Sequence, residues 1–186
     1  MDFTETDIPG VVVVRPRVFE DARGYFFESY SKREFDRATG GVDFVQDNQS
    51  RSVRGVMRGL HFQAPPYAQA KLVRCVSGRV LDVAVDIRRG SPTFGRHVAV
   101  ELSEDNGLQL FIPRGFAHGF AVLSDVAVFQ YKCDNYYYPK AEGGISILDT
   151  SLGIDWKIPA GEVVLSQKDT RHPLFKDFKS PFDYGL

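Results

Sequence analysis

The feature that most limits the fold is a two-residue hydrophobic period, recurring in short runs along nearly the whole chain. Successive side chains of an extended strand point to opposite faces, so each run reads as a strand with one buried face. Candidate strands cover residues 11–14, 25–30, 44–50, 56–63, 71–76 and 80–87. Residues 96–102, 108–112, 119–122, 126–131 and 163–166 continue the series. Turn formers separate them, among them Ser77-Gly78, Arg89-Gly90-Ser91-Pro92, Asp105-Asn106-Gly107 and Pro113-Arg114-Gly115. Many short strands at this spacing predict an all-β sandwich, barrel or jelly roll.

Helical signals are sparse. Residues 31–39 read as a helix with Ser31 at the N-cap and Phe35 facing inward. A second short helix is expected near residues 168–175, although Pro173 opposes it. Residues 136–144 read as a long loop of the kind that carries ligand contacts. With 186 residues and no linker, repeat or low-complexity tract, a single domain over 1–186 is expected.

Charge narrows the function. The chain has 23 Lys and Arg against 24 Asp and Glu, a net charge of -1. That balance argues against coating nucleic acid but leaves room for a local anion pocket. No apolar run approaches the roughly 20 residues needed to span a bilayer. The start Met1-Asp2-Phe3-Thr4-Glu5 lacks signal-peptide character, so a cytoplasmic location is expected. Cys75 and Cys133 have no Cys or His at metal-ligand spacing and read as buried reduced thiols.

Several polar residues interrupt the apolar runs. Arg58, His61 and Lys71 are placed to share one cavity, with Leu60, Leu72 and Val73 packing nearby. His61 suits a general base, because imidazole titrates near neutrality; the alternative is a structural histidine. A metal site of the His-x-His type is disfavoured, since Gln63 stands at the second position and the Lys71 cation would repel a metal. Lys71 reads as an enolate-stabilising ammonium or as a snorkelling strand-end lysine. Tyr131 is either a proton donor or a core tyrosine. Asp169 reads, on local grounds, as a surface or helix-capping acid. Arg23, before Gly24, is a phosphate ligand or a solvated turn charge. Gln46-Asp47-Asn48 either reads a base or sugar edge or simply ends a strand. His118 lies at a turn flanked by glycines.

Taken together, six ordered motifs resemble the dTDP-4-dehydrorhamnose 3,5-epimerase family. They are residues 21–28 (DARGYFFE), 46–48 (QDN), 58–63 (RGLHFQ), 69–74 (QAKLVR), 113–120 (PRGFAHGF) and 131–133 (YKC). The resemblance is collinear from Ile8 to Phe175. It implies a cupin-like jelly roll without a metal or cofactor, forming a homodimer. It implies a dTDP-sugar substrate, dTDP-4-dehydro-6-deoxy-D-glucose, epimerised at C3 and C5. In the implied roles His61 is the base, Asp169 orients it, Lys71 stabilises the enolate and Tyr131 returns the proton. Arg23, Phe26, Glu28, Gln46, Asp47, Asn48, Arg58, His118, Glu142 and Lys168 match nucleotide-sugar positions. The segment from Arg23 to Glu28 is implied to reach the neighbouring subunit's site. Gln49 and Tyr67 depart from residues common in the family, which leaves open whether one carbon or two are inverted. A metal-dependent cupin such as an oxygenase, and a non-catalytic nucleotide-sugar binding module, are the readings from other classes.

Overall fold

A computed structural model describes residues 1–185. In chain order its strands are β1 (Asp2–Glu5), β2 (Val12–Arg15), β3 (Phe19–Asp21), β4 (Gly24–Phe26), β5 (Gln46–Val53), β6 (Met57–Gln63), β7 (Lys71–Ser77) and β8 (Arg79–Asp86). They continue with β9 (Arg88–Arg89), β10 (His97–Ser103), β11 (Gln109–Ile112), β12 (Phe116–Val122), β13 (Val126–Cys133), β14 (Glu142–Gly144) and β15 (Phe182–Asp183). Two large antiparallel sheets result, one ordered β1-β2-β11-β7-β13-β5 and the other β10-β8-β12-β6-β14. The expected all-β, cupin-like jelly roll is the architecture found.

The two sheets face each other across a shared apolar layer. Val73, Leu110 and Phe129 of the six-stranded sheet pack with Ala84, Leu102, Phe120 and Val122 of the five-stranded one. The five-stranded sheet is covered again on its outer face. There Leu60, Val83 and Ala121 meet Ile145, Ile147, Leu152 and Phe182 from the C-terminal third. Hence β12 is buried at every position, and its sequence is apolar or small without alternation except for His118. The outer face of the six-stranded sheet receives the helix α1 (Lys32–Thr39), whose Phe35 is fully buried against Val14, Leu72 and Phe111. Edge strand β5 alternates between half-buried and exposed residues over most of its length, as a one-sided edge requires.

The structure corrects several boundaries. Residues 25–30 do not form one strand. Asp21 accepts the Arg23 N–H, and Gly24 takes φ 126°, so the chain turns tightly and only β4 pairs, with β3. Residues 163–166 make a single parallel bridge, Val164 to Val56, rather than a strand. The expected helix at 168–175 is two separate 3-10 turns, Asp169–Arg171 and Phe175–Asp177, with Pro173 between them. The loop at 136–144 ends in β14, which pairs with β6. His118 sits inside β12 rather than at a turn, because the turn at Pro113-Arg114-Gly115 closes before Phe116. Among the described residues no helix is long and apolar enough to cross a membrane. Cys75 and Cys133 are free and buried, and burial raises both thiols to about 11.

Candidate active site

One cavity has a volume of about 530 Å³. Its walls come from both sheets: Asn48, Lys71 and Tyr131 from the six-stranded one, Arg58, His61 and His118 from the five-stranded one. The segment 164–169 closes one side with Ser166, Lys168 and Asp169.

Strict alternation would put Arg58 and His61 on opposite faces of β6, because they are an odd three positions apart. The register shows how both reach the cavity. His118 pairs with His61 and Phe120 with Arg58, so β6 carries one extra residue at this point. This bulge is centred on Gly59, at φ 140°, where a Cβ would lie 2.5 Å from Gly119 Cα. Glycine on both strands therefore permits the close approach that aims the two side chains together.

His61 is half-buried and Asp169 is 4% exposed, with Nε2 and Oδ1 only 2.5 Å apart. Asp169 is held from its other side. Ser166 Oγ donates to Asp169 Oδ2 at 2.8 Å, and the Asp169 N–H donates back to Ser166 Oγ. This Ser-x-x-Asp reciprocity resembles the helix capping box, although the 3-10 turn itself begins after Lys168, with no side-chain cap. The expectation of a surface or helix-capping acid is thus corrected: the carboxylate is buried and spent on His61 and Ser166. Burial pushes its pKa up, but hydrogen bonds from His61 and Ser166 outweigh this and hold the carboxyl below its ordinary range.

The opposite wall is cationic and phenolic. Lys71 is half-buried, its Nζ 5.7 Å from the Tyr131 ring centroid. Burial lowers its pKa, while the charges of Cys133, Asp82 and Glu142 act the other way. Burial raises the Tyr131 phenol, so it is neutral well beyond neutral pH. His118 is buried and its Nε2 lies 2.9 Å from Asp82 Oδ2. Burial lowers its pKa against the pull of Asp82, which favours a neutral imidazole with a fixed orientation.

The remaining positions fall into two groups. Asn48, Arg58 and Lys168 line the cavity, whereas Gln46, Asp47 and Glu142 do not and reach it only through partners. Gln46 donates to Asn48, Asp47 pairs with Lys132, and Arg58 Nε donates to Ser52 Oγ. Glu142 pairs with Lys168 and accepts from the Tyr137 hydroxyl at 2.7 Å. Arg23, Phe26 and Glu28 do not line this cavity. They are exposed on or just after the β3–β4 hairpin, where Arg23 pairs with Asp21. Of the two departing residues, Gln49 lines the cavity and Tyr67 stacks on Tyr138 at 3.9 Å.

Gln63 is tied to backbone instead of facing the cavity as a ligand. Its amide donates to Tyr67 O and Tyr136 O and accepts from the Tyr138 N–H. Sequence reasoning missed Asp82, Ser166 and His172. Asp82 sits in an apolar run, where a fully buried carboxylate needs a partner and thereby signals one. Ser166 was legible as the first residue of Ser-x-x-Asp.

Comparison with known proteins completes the picture. Residues 5–177 match the family described as dTDP-4-dehydrorhamnose 3,5-epimerase. The chain belongs to that family. It is accordingly an enzyme, an isomerase of the dTDP-sugar type. The dTDP-4-dehydrorhamnose 3,5-epimerase of Shigella flexneri is 53% identical over 178 residues, covering 95% of this chain and 97% of its own. The crystal structure of a dTDP-6-deoxy-D-glucose-3,5-epimerase from Legionella pneumophila, in complex with dTDP-4-keto-L-rhamnose, is similar with a TM-score of 0.95. It is 45% identical and covers 100% of this chain and 99% of its own. A 3'-monoepimerase from Streptomyces bikiniensis, in complex with dTDP-quinovose, is similar at 35% identity and a TM-score of 0.85, covering 91% of this chain and 85% of its own.

Proposed function

We propose that the chain converts dTDP-4-dehydro-6-deoxy-D-glucose to dTDP-4-dehydro-L-rhamnose, inverting C3 and C5 without a cofactor. One observation carries this reading: His61, bonded to the buried Asp169, and the neutral Tyr131 phenol come from different sheets and line one cavity. Inversion at carbon needs a base on one face and an acid on the other.

The C4 ketone of the substrate acidifies the hydrogens at C3 and C5. With one His61 nitrogen donating to Asp169, the other ring nitrogen accepts the proton from carbon. The electron pair moves to the C4 oxygen, and the Lys71 ammonium stabilises the resulting enolate. Tyr131 then donates its phenolic proton to the opposite face of the same carbon. Solvent restores the proton to Tyr131 and removes one from His61, so each inversion is proton-neutral. Repetition at the second carbon completes the reaction.

Arg58, His118, Asn48, Gln46, Asp47, Glu142 and Lys168 hold the nucleotide sugar in this reading. Arg23, Phe26 and Glu28 serve the neighbouring subunit's site in a homodimer, which accounts for a hairpin that exposes Phe19, Tyr25 and Phe26. The double inversion is favoured over a single one by the greater similarity to 3,5-epimerases, 53% against 35% identity for the monoepimerase. The test is product identity. Borohydride reduction and hydrolysis of the product are expected to release L-rhamnose; release of D-configured 6-deoxyhexoses alone would overturn inversion at C5.

A further inference from the structure

His172 is the group at this site that the proposed reaction leaves unused. Its Nε2 is buried and has no hydrogen-bond partner. That nitrogen lies 4.0 Å from Asp169 Oδ1, and its ring stands edge-on to His61 with centroids 5.4 Å apart. One ligand atom each from His61, Asp169 and His172 lie within 4.8 Å of one another. We propose that these three residues form a capture site for a divalent transition metal, best matched to Zn²⁺, and that the captured ion silences the epimerase by occupying its base.

The donor set decides the ion class. Two imidazoles and one carboxylate suit Zn²⁺ and its first-row neighbours, whereas Mg²⁺ and Ca²⁺ favour all-oxygen shells. Zinc binds these atoms at about 2.0–2.2 Å, so ligand atoms around a tetrahedral ion lie about 3.3 Å apart. Reaching that spacing requires His61 and Asp169 to separate by about 0.8 Å, His172 to approach Asp169 by about 0.7 Å, and the two imidazole nitrogens, within 4.8 Å of each other, to close by up to about 1.5 Å. Rotation of side chains supplies such shifts. The ion takes the place of the proton shared by His61 and Asp169, and that proton leaves to solvent.

The surroundings are built for these positions. Ser166 Oγ holds Asp169 by its other oxygen at 2.8 Å, which leaves Oδ1 for the ion and fixes the carboxylate plane. The His172 ring occupies space opened by Gly144, where a Cβ would lie 2.6 Å from Nε2. His61 lines the cavity, so the ion's fourth position faces the substrate space. Lys168, the nearest lysine in sequence, is neutralised by Glu142, while Lys71 faces the same cavity and limits affinity. Binding does not depend on the role proposed for His61; the loss of activity does.

Calorimetric titration of the metal-free full-length protein with ZnCl₂, without substrate, separates the two. One ion per chain is expected, with turnover falling at the same zinc concentration and returning with EDTA. His172→Ala and, independently, Gly144→Ala are each expected to weaken zinc binding about tenfold or more and to shift inhibition equally. Unweakened binding in both variants, no binding at millimolar zinc, or binding without inhibition would each overturn the proposal.

Discussion

His61 Nε2 and Asp169 Oδ1 stand 2.5 Å apart although they lie 108 positions apart in the chain. The contact joins a bulged strand to a Ser-x-x-Asp turn. The strand aims the imidazole into the cavity, and the turn delivers a carboxylate already held by Ser166.

Asp169→Asn should keep the shape of the pair but lose the charge that orients and stabilises the imidazolium. We expect kcat to fall on the order of 100-fold with KM within a few-fold. Steady-state kinetics on the dTDP-sugar checks this. A fall in KM affinity alone would assign Asp169 to substrate binding.

Tyr131→Phe removes one hydroxyl and leaves the ring that packs beside Lys71. The base remains, so carbon-bound hydrogen should still exchange with solvent. Inversion should drop by about 10²- to 10⁴-fold. Comparing isotope wash-out with product formation gives the ratio. Parallel loss of both would mean that Tyr131 is not the donor.

Gly59→Ala places a Cβ 2.5 Å from Gly119 Cα at a φ of 140°. The expected cost is roughly 2 kcal/mol or more. Activity should fall beyond what unfolding explains, because Arg58 and His61 lose their common face. Denaturant unfolding alongside kinetics of the folded fraction tests both parts.

Stability should also report on Asp86, a fully buried carboxylate. Burial pushes its pKa up, but hydrogen bonds from Arg88, Ser91 and Thr93 outweigh this and hold it below the ordinary 3.8. A carboxyl with a depressed folded pKa stabilises above its unfolded value and loses that contribution as pH falls through the folded one. Unfolding free energy should therefore decline as pH drops below about 3.8. Asp86→Asn should cost about 3 kcal/mol at neutral pH and flatten that acid limb. Urea titrations across pH measure both.

The sandwich was legible as short strand-like runs separated by turn formers, as at Ser77-Gly78 between β7 and β8. The central strand β8 was legible as an apolar run, and β12 only in its second half, 119–122, because Phe116 to His118 read as part of the glycine turn. Residues 163–175 were not, because their packing is set by contacts with β6 and the C-terminal cover and not by local periodicity. The same holds for the site. His61 and Lys71 stood out as polar breaks in apolar strands. Asp169 looked local because a capping acid and a histidine partner share one sequence signature. His172 gave no signal, since its neighbours across space, Gly144 and His61, lie on β14 and β6. Arg58 and His61 share a face only because of a bulge that the notation Arg-Gly-Leu-His does not reveal on its own.

The central claim is that His61 opens, and Tyr131 closes, an inversion at each of two carbons. Proton NMR of dTDP-4-dehydro-6-deoxyglucose incubated with the protein in deuterated water tests it most directly. The account predicts deuterium at both C3 and C5 with the native chain, and at neither with His61→Ala. Label at only one carbon, or undiminished label in the His61 variant, would contradict it.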